Sequence, residues 1–196
     1  MRFRRRGPEG RGLGDTRQRK GRRRAVLLGA VVFGLAFGFV EAAVVIYLRR
    51  LYYPEGFGFP LRFVPTDIGA VEAAREIATI VMLAAVAFMG SRSRWGRFGL
   101  FAVSFGVWDL VYYAGLRLVL RWPASLAAWD VLFLVPGIWT GPVWAPMLVS
   151  SLLILCGAVL FLRGDAGRLV RPAALHWTLA LLSIVAIVGA FLANHG

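Results

Sequence analysis

Residues 68–89 read IGAVEAAREIATIVMLAAVAFM, and whether this stretch crosses a membrane decides the topology of the chain. The stretch has the roughly 20 residues that a helix needs to cross a hydrocarbon layer about 30 Å thick. It also carries Glu72, Arg75 and Glu76 in its first half. A charge at the centre of a span costs about 2.5–3.5 kcal/mol on insertion-based scales. The uncharged remainder, 77–89, is too short to span alone.

Four other apolar blocks of similar length surround this stretch, at 25–48, 98–120, 143–162 and 172–193. Hydrophobic residues make up 59% of the 196-residue chain. Charged residues make up 17%, against about 25% in ordinary soluble domains. A soluble protein of this size needs more polar surface to cover its core. The composition therefore predicts an integral membrane protein.

The distribution of basic residues tests whether 68–89 spans. If it does, residues 1–24, 90–97 and 163–171 share one side of the membrane, and they hold seventeen Lys and Arg. The other side holds only four basic residues: Arg49, Arg50, Arg62 and Arg121. If 68–89 does not span, this bias weakens sharply. Since cytoplasmic loops carry an excess of Lys and Arg, five spans with a cytoplasmic N-terminus and an outside C-terminus is the self-consistent solution.

We therefore predict an all-α fold, a polytopic membrane helix bundle with five transmembrane helices over residues 25–196. A basic cytoplasmic arm, 1–24, is expected to precede it and to be disordered, because it is rich in charge and glycine. Its expected partners are anionic lipid head groups, which residues 2–24 would contact. No specific nucleic acid is predicted, because the basic excess lies beside apolar blocks.

The outer segment 121–146 is rich in tryptophan and proline. Tryptophan is enriched at the level of the lipid head groups, where its apolar ring meets a polar edge. Within this segment we expect 126–135 to form either a short helix in the interface or a shallow re-entrant turn.

The first span carries small residues every four positions: Ala30, Gly34, Gly38 and Ala42. This spacing places them on one helix face, where another backbone can approach closely. Packing within the chain is the expected use of this face. Homodimerisation through the same face is the alternative.

Charged residues recur at similar depth on three predicted spans. Glu41 follows the small-residue face of the first span, and Glu72, Arg75 and Glu76 form a polar stripe on the second. The third span carries Asp109, with Tyr112 and Tyr113 as neighbouring hydrogen-bond donors, and we regard Arg117 and Asp130 as secondary candidates. Because isolated charges are costly in a membrane, we expect these side chains to meet inside the bundle.

Within this group, Glu41, Glu72, Glu76 and Asp109 outnumber the arginines. In a site of low dielectric the excess negative charge must be removed by protonation, by water or by a bound cation. The pattern thus predicts a ligand or ion site. The alternative is a structural ion-pair cluster that holds the helices in register, with Arg117 merely reaching the interface.

Other chemistries lack their sequence patterns. The chain has no Cys/His spacing typical of zinc, no Glu-x-x-His pair and no glycine motif for nucleotides. We therefore predict no catalytic residue, no metal and no cofactor.

Five stretches carry a family resemblance: EAAVVIYLR at 41–49, REIATIVML at 75–83, FGVWDLVYY at 105–113, WPASLAAWDVLFL at 122–134 and GPVWAP at 141–146. Together they resemble small uncharacterised multi-pass proteins of the bacterial inner membrane, a group with no assigned activity. The resemblance covers about residues 38–155 and omits the basic arm. It implies a bacterial cytoplasmic membrane and adds no catalytic residue.

Three functions follow as hypotheses. The first is handling of a small solute, proton or cation through the acidic site. The second is a non-catalytic accessory subunit of a membrane complex, in which the same charges bind the helices together. The third is a lipid-modifying enzyme, which needs a cavity beside two acids.

Overall fold

The computed structural model describes residues 9–62, 65–167, 173–175, 178–179, 181–183 and 185–186, with side chains from Arg17 onward. The fold is mostly helical, and its four long helices are α1 (Glu9–Tyr52), α2 (Thr66–Gly90), α3 (Arg94–Leu120) and α4 (Trp144–Gly164). Two short strands, β1 (Trp129–Phe133) and β2 (Trp139–Pro142), lie between α3 and α4. The fifth predicted span, 172–193, lies largely outside the described residues.

Among the described residues, four helices are long and apolar enough to cross a membrane, over Arg17–Tyr52, Thr66–Gly90, Arg94–Leu120 and Trp144–Gly164. The first three contain the predicted blocks 25–48, 68–89 and 98–120, and the fourth covers the block 143–162 apart from its first residue. Their surfaces are compatible with insertion, since large apolar side chains such as Met89 and Leu118 are exposed.

Proline and capping residues explain several helix boundaries. α1 ends at Tyr52, two residues before Pro54, and α2 begins directly after Pro65. At the start of α3, the Ser93 hydroxyl accepts a hydrogen bond from the Gly96 N–H at 3.4 Å. α3 ends at Leu120, and the next residue, Arg121, adopts the left-handed conformation with φ of 55°.

Residues 9–24 of the basic arm belong to α1, which begins at Glu9, and the disorder expected for the arm as a whole stays a prediction. Residues 9–24 contain no proline and many arginines, which are good helix formers. A helix already nucleated by the apolar block extends at low cost. Arg23 Nε lies 3.5 Å from Asp165 Oδ2, and this ion pair joins the lower part of α1 to the end of α4.

The all-α prediction is wrong for the segment between α3 and α4. Residues 126–135 form no interfacial helix: β1 and β2 pair antiparallel, with Asp130 opposite Gly141 and a bulge between Val131 and Phe133. The β-branched and aromatic side chains of β1 favour a strand, and the pairing satisfies backbone groups without a helix. Phe133 stacks on Phe105 of α3 with ring centroids 6.3 Å apart.

The small residues of α1 pack against α3 of the same chain. A Cβ added at Gly34 would lie 2.8 Å from the Ser104 carbonyl oxygen, and one at Gly38 would lie 2.5 Å from that of Trp108. Ala30 and Ala42 are buried. This packing occupies the face that the sequence also offered for a homodimer.

The contact between α3 and α4 is similarly close. Added Cβ atoms at Gly99 and Gly157 would lie 2.5 and 2.7 Å from each other's backbone carbonyl oxygens. Dispersion between closely approaching backbones is the kind of packing that joins helices in a membrane. The helices α1, α3 and α4 thus form a compact unit. Helix α2 and the β1–β2 hairpin, residues 129–142, lie beside this unit.

Candidate functional site

One ion-pair cluster joins α1 to α2 through Arg75. The Arg75 guanidinium donates hydrogen bonds to Glu41 of α1 through Nη1, and to Glu72 Oε2 at 2.9 Å through Nε and 2.7 Å through Nη2. The Thr79 hydroxyl also donates to Glu41, at 3.4 Å. Glu72 and Arg75 are three residues apart on one face of α2, so this cluster follows directly from helix geometry.

A second ion pair fixes the hairpin to the C-terminal end of α1. Arg49 Nη2 donates to Asp130 Oδ1 at 2.7 Å, and Asp130 is fully buried. The guanidinium lies between two rings, 4.0 Å from the centroid of Phe57 and 3.8 Å from that of Trp122. Burial raises the pKa of the Asp130 carboxyl, and the adjacent Arg49 charge opposes that shift.

Two carboxylates lie near these clusters without an ion-pair partner among the described residues. Asp109 Oδ2 accepts a hydrogen bond from the Ser150 hydroxyl of α4 at 2.8 Å. Glu76 accepts hydrogen bonds from the backbone N–H groups of Leu134 and Val135, at 2.8 and 3.1 Å. Neutral donors satisfy part of the hydrogen-bonding capacity of both groups and leave their charges uncompensated.

These groups line one cavity of about 470 Å³ between α1, α2, α3, the hairpin and the segment after α1. Five of its lining residues are acids: Glu41, Glu72, Glu76, Asp109 and Asp130. Three are arginines: Arg49, Arg62 and Arg75. Arg62 is half-exposed and pairs at 3.6 Å with Glu55, which does not line the cavity. Formally, the cavity walls carry an excess of two negative charges.

Aromatic and apolar side chains make up most of the remaining wall, including Trp108, Tyr112, Tyr113 and Phe133. Two buried donors on lining residues, Trp108 Nε1 and Arg49 Nη1, have no hydrogen-bond partner within the described part of the chain. Unsatisfied buried donors are rare because each costs about 1–3 kcal/mol. Carboxylates and aromatic faces together suit a cationic solute that also carries apolar surface, whereas the two free N–H groups need an acceptor atom such as a water oxygen.

No protein-family model, curated protein or solved structure matches this chain. The chemistry of the site therefore has to be argued from its own residues. Across the residues that the structure describes, no three His, Cys, Asp or Glu side chains are grouped as metal ligands.

The structure brings all seven main candidates to the cavity wall: Glu41, Glu72, Arg75, Glu76, Asp109, Tyr112 and Tyr113. Tyr112 donates to Asp130 at 3.5 Å, and Asp130, a secondary candidate, is the partner of Arg49. The other secondary candidate, Arg117, is not at the site. Its Nη1 donates to the carbonyl oxygens of Arg121 and Pro123, at 2.7 and 3.1 Å, and so caps the end of α3.

Sequence reasoning missed Arg49, Trp108 and Ser150. Arg49 counted only as an outer-loop charge, although it lies eight residues after Glu41 and therefore on a similar face of α1. Trp108 and Ser150 lacked a comparable signal, because their roles depend on which face of α3 meets α4. The α3–α4 packing had to be seen to find them.

Proposed function

We propose that this chain is a multi-pass protein of the bacterial cytoplasmic membrane that binds a small cation in the acid-lined cavity and exchanges it for protons. The charge bias of the loops supports a cytoplasmic N-terminus and an outside C-terminus. On that orientation, the hairpin and Arg49 lie toward the outer surface, and the cavity opens to the outer half of the bundle.

This proposal rests on Glu76 and Asp109, two carboxylates that line the cavity without an ion-pair partner among the described residues. Arg75 lies between Glu41 and Glu72, and Arg49 pairs with Asp130, so neither arginine forms a direct ion pair with Glu76 or Asp109. A carboxylate held away from water at low dielectric is unstable unless it binds a proton or a cation. A cation bound in the cavity that both groups line would offset their charge, and its release would be favoured when they take up protons.

Binding of radiolabelled tetramethylammonium to the full chain in nanodiscs tests this proposal. Asp109→Asn and Glu76→Gln keep the shape of each side chain and remove its charge. We expect each to weaken binding about tenfold or more, because tenfold corresponds to only about 1.4 kcal/mol of lost attraction. Glu55→Gln makes the same change on an exposed acid outside the cavity and should bind like the parent chain.

Uptake into proteoliposomes separates binding from exchange. Inward movement of tetramethylammonium should be accompanied by outward movement of protons, followed by a pH-sensitive dye in the lumen. Wild-type protein that binds no tetramethylammonium, or Asp109→Asn and Glu76→Gln variants that bind it as tightly as Glu55→Gln, would contradict the proposal.

The ion pairs between structural elements favour the accessory-subunit hypothesis. Two of the cavity arginines form ion pairs between elements, Arg75 from α2 to α1 and Arg49 from α1 to the hairpin. Such pairs fix the arrangement of elements whether or not a ligand binds. Co-purification of one partner in fixed stoichiometry after mild solubilisation, together with no cation binding, would favour this second function.

A further inference from the structure

A second concavity of similar volume lies directly beside the cavity, on the outer surface of α2 where the hairpin approaches it. Three residues line both spaces: Glu76, Ile80 and Phe133. The two spaces therefore adjoin at these three side chains, with Glu76 at the boundary between them.

The groove has a different chemical character from the cavity. Apart from Glu76 its walls are apolar or aromatic, and they include Ile77 and Val81 of α2 and Val135 of the hairpin. Val81 and Ile77 are largely exposed on a surface that would face lipid chains in the proposed membrane orientation. A groove of this kind accepts hydrocarbon and offers nothing to a hydrated ion.

The loose attachment of α2 explains how such a groove arises. Only Thr79, Leu83 and Ala87 of its 25 residues are buried. The Glu72–Arg75–Glu41 cluster joins α2 to α1, and the two hydrogen bonds that Glu76 accepts from Leu134 and Val135 join α2 to the hairpin. The gap between α2 and the hairpin thus has a charged group at its inner end and an apolar outer mouth.

We propose that the ligand is an alkylammonium amphiphile, with its cationic head among the carboxylates and its hydrocarbon chain leaving through the groove between α2 and the hairpin. This inference rests on the proposed function and names its substrate class. Trp108, Tyr112 and Tyr113 at the cavity wall suit an alkylated ammonium group, since aromatic faces attract such cations. The cationic head thus lies against the acidic walls of the cavity, and the hydrocarbon chain lies against the apolar walls of the groove.

Displacement of radiolabelled tetramethylammonium by butyl- and octyltrimethylammonium in nanodiscs tests the inference. For the parent chain we expect octyltrimethylammonium to displace the label roughly tenfold or more below the concentration needed with unlabelled tetramethylammonium, because each buried methylene adds affinity. The butyl compound should lie between them.

A matched pair of valines on α2 shows whether the groove causes this gain. Val81 lines the groove and is 60% exposed, whereas Val71 is 61% exposed and lines neither space. Val81→Trp should fill the groove, abolish the gain from the octyl chain and leave tetramethylammonium binding unchanged. Val71→Trp adds the same bulk on the same helix and should keep the gain. Val135→Trp, which fills the groove from the hairpin, repeats the test if Val81→Trp does not fold.

The outcomes separate the inference from the proposed function. If tetramethylammonium itself does not bind, the proposed function fails. If it binds but the octyl chain adds nothing, or if the groove variants keep the gain as Val71→Trp does, only the assignment of an amphiphile is wrong. Loss of the gain in the groove variants alone supports it.

Discussion

The α1–α3–α4 unit and the α2–hairpin side of the molecule are held together in different ways. α3 buries thirteen of its 27 residues, many of them glycine or alanine, whereas α2 buries three of its 25. On the first side, backbones approach until a single added methyl group would clash. On the second, most specific contacts are ion pairs and hydrogen bonds around a cavity.

Because of this difference, one side can act as a rigid support and the other can leave space for a solute. Close packing of small residues leaves little free volume and gives a rigid support for the side chains that α3 presents. Polar contacts fix only the atoms that they join, so they leave room for a solute between them. Asp109 lies where the two sides meet, with Ser150 of the packed unit as its hydrogen-bond donor.

The largest stability effect should come from the polar side, at Asp130. Asp130→Ala leaves the Arg49 charge buried without its partner, and we expect it to lower the free energy of unfolding by about 3–5 kcal/mol. Glu55→Ala, which removes the acid of the exposed pair with Arg62, should cost about 1 kcal/mol or less. The midpoint of thermal unfolding in mild detergent compares the two.

A double variant identifies the cause of that loss. Arg49→Met with Asp130→Leu removes both charges and should recover much of the stability, because a buried pair can be replaced by apolar groups at little cost. If Asp130→Ala is as stable as Glu55→Ala, the ion pair does not hold the hairpin, and the contrast between the two sides is lost.

An effect of intermediate size is expected on the packed side. Gly38→Ala places a methyl group 2.5 Å from the Trp108 carbonyl oxygen, and we expect it to cost about 1–3 kcal/mol because α3 must move away. Gly29→Ala changes the same residue type in the same helix, where nothing lies within 4 Å of the added atom. It should be neutral or stabilising by up to about 1 kcal/mol. Equal unfolding midpoints for these two variants would show that α1 and α3 are not closely packed.

The packed side was largely predictable from the sequence, and the polar side was so only in part. Four-residue spacing of small residues in α1 is a local pattern, and it correctly indicated the contact face. The convergence of acids followed from the high cost of isolated charges in a membrane, which applies whatever the fold. Both arguments need only one helix at a time.

The hairpin could not be derived in this way. Its strands are short, and the apolar pattern of Trp129–Phe133 fits a strand and a helix turn equally well. Strand pairing with residues 139–142 decides the matter, and that pairing is a contact between segments. The positions of Arg49 and Asp130 depend on it, which is why one was missed and the other ranked as secondary.

The smallest expected effect concerns the contact between α2 and the hairpin. Glu76→Gln weakens the acceptor for the Leu134 and Val135 N–H groups, because the group becomes neutral and an NH2 donor replaces one of its two acceptor oxygens. We expect a local loss of roughly 1 kcal/mol, which corresponds to about fivefold faster amide hydrogen exchange at these two residues. Glu72→Gln makes the same change one turn earlier on α2, where the carboxylate contacts Arg75 and not the hairpin. Exchange at Leu134 and Val135 should therefore be unchanged in Glu72→Gln. If both variants accelerate exchange equally, the hairpin responds to the charge of α2 in general, and Glu76 does not hold the inner end of the groove.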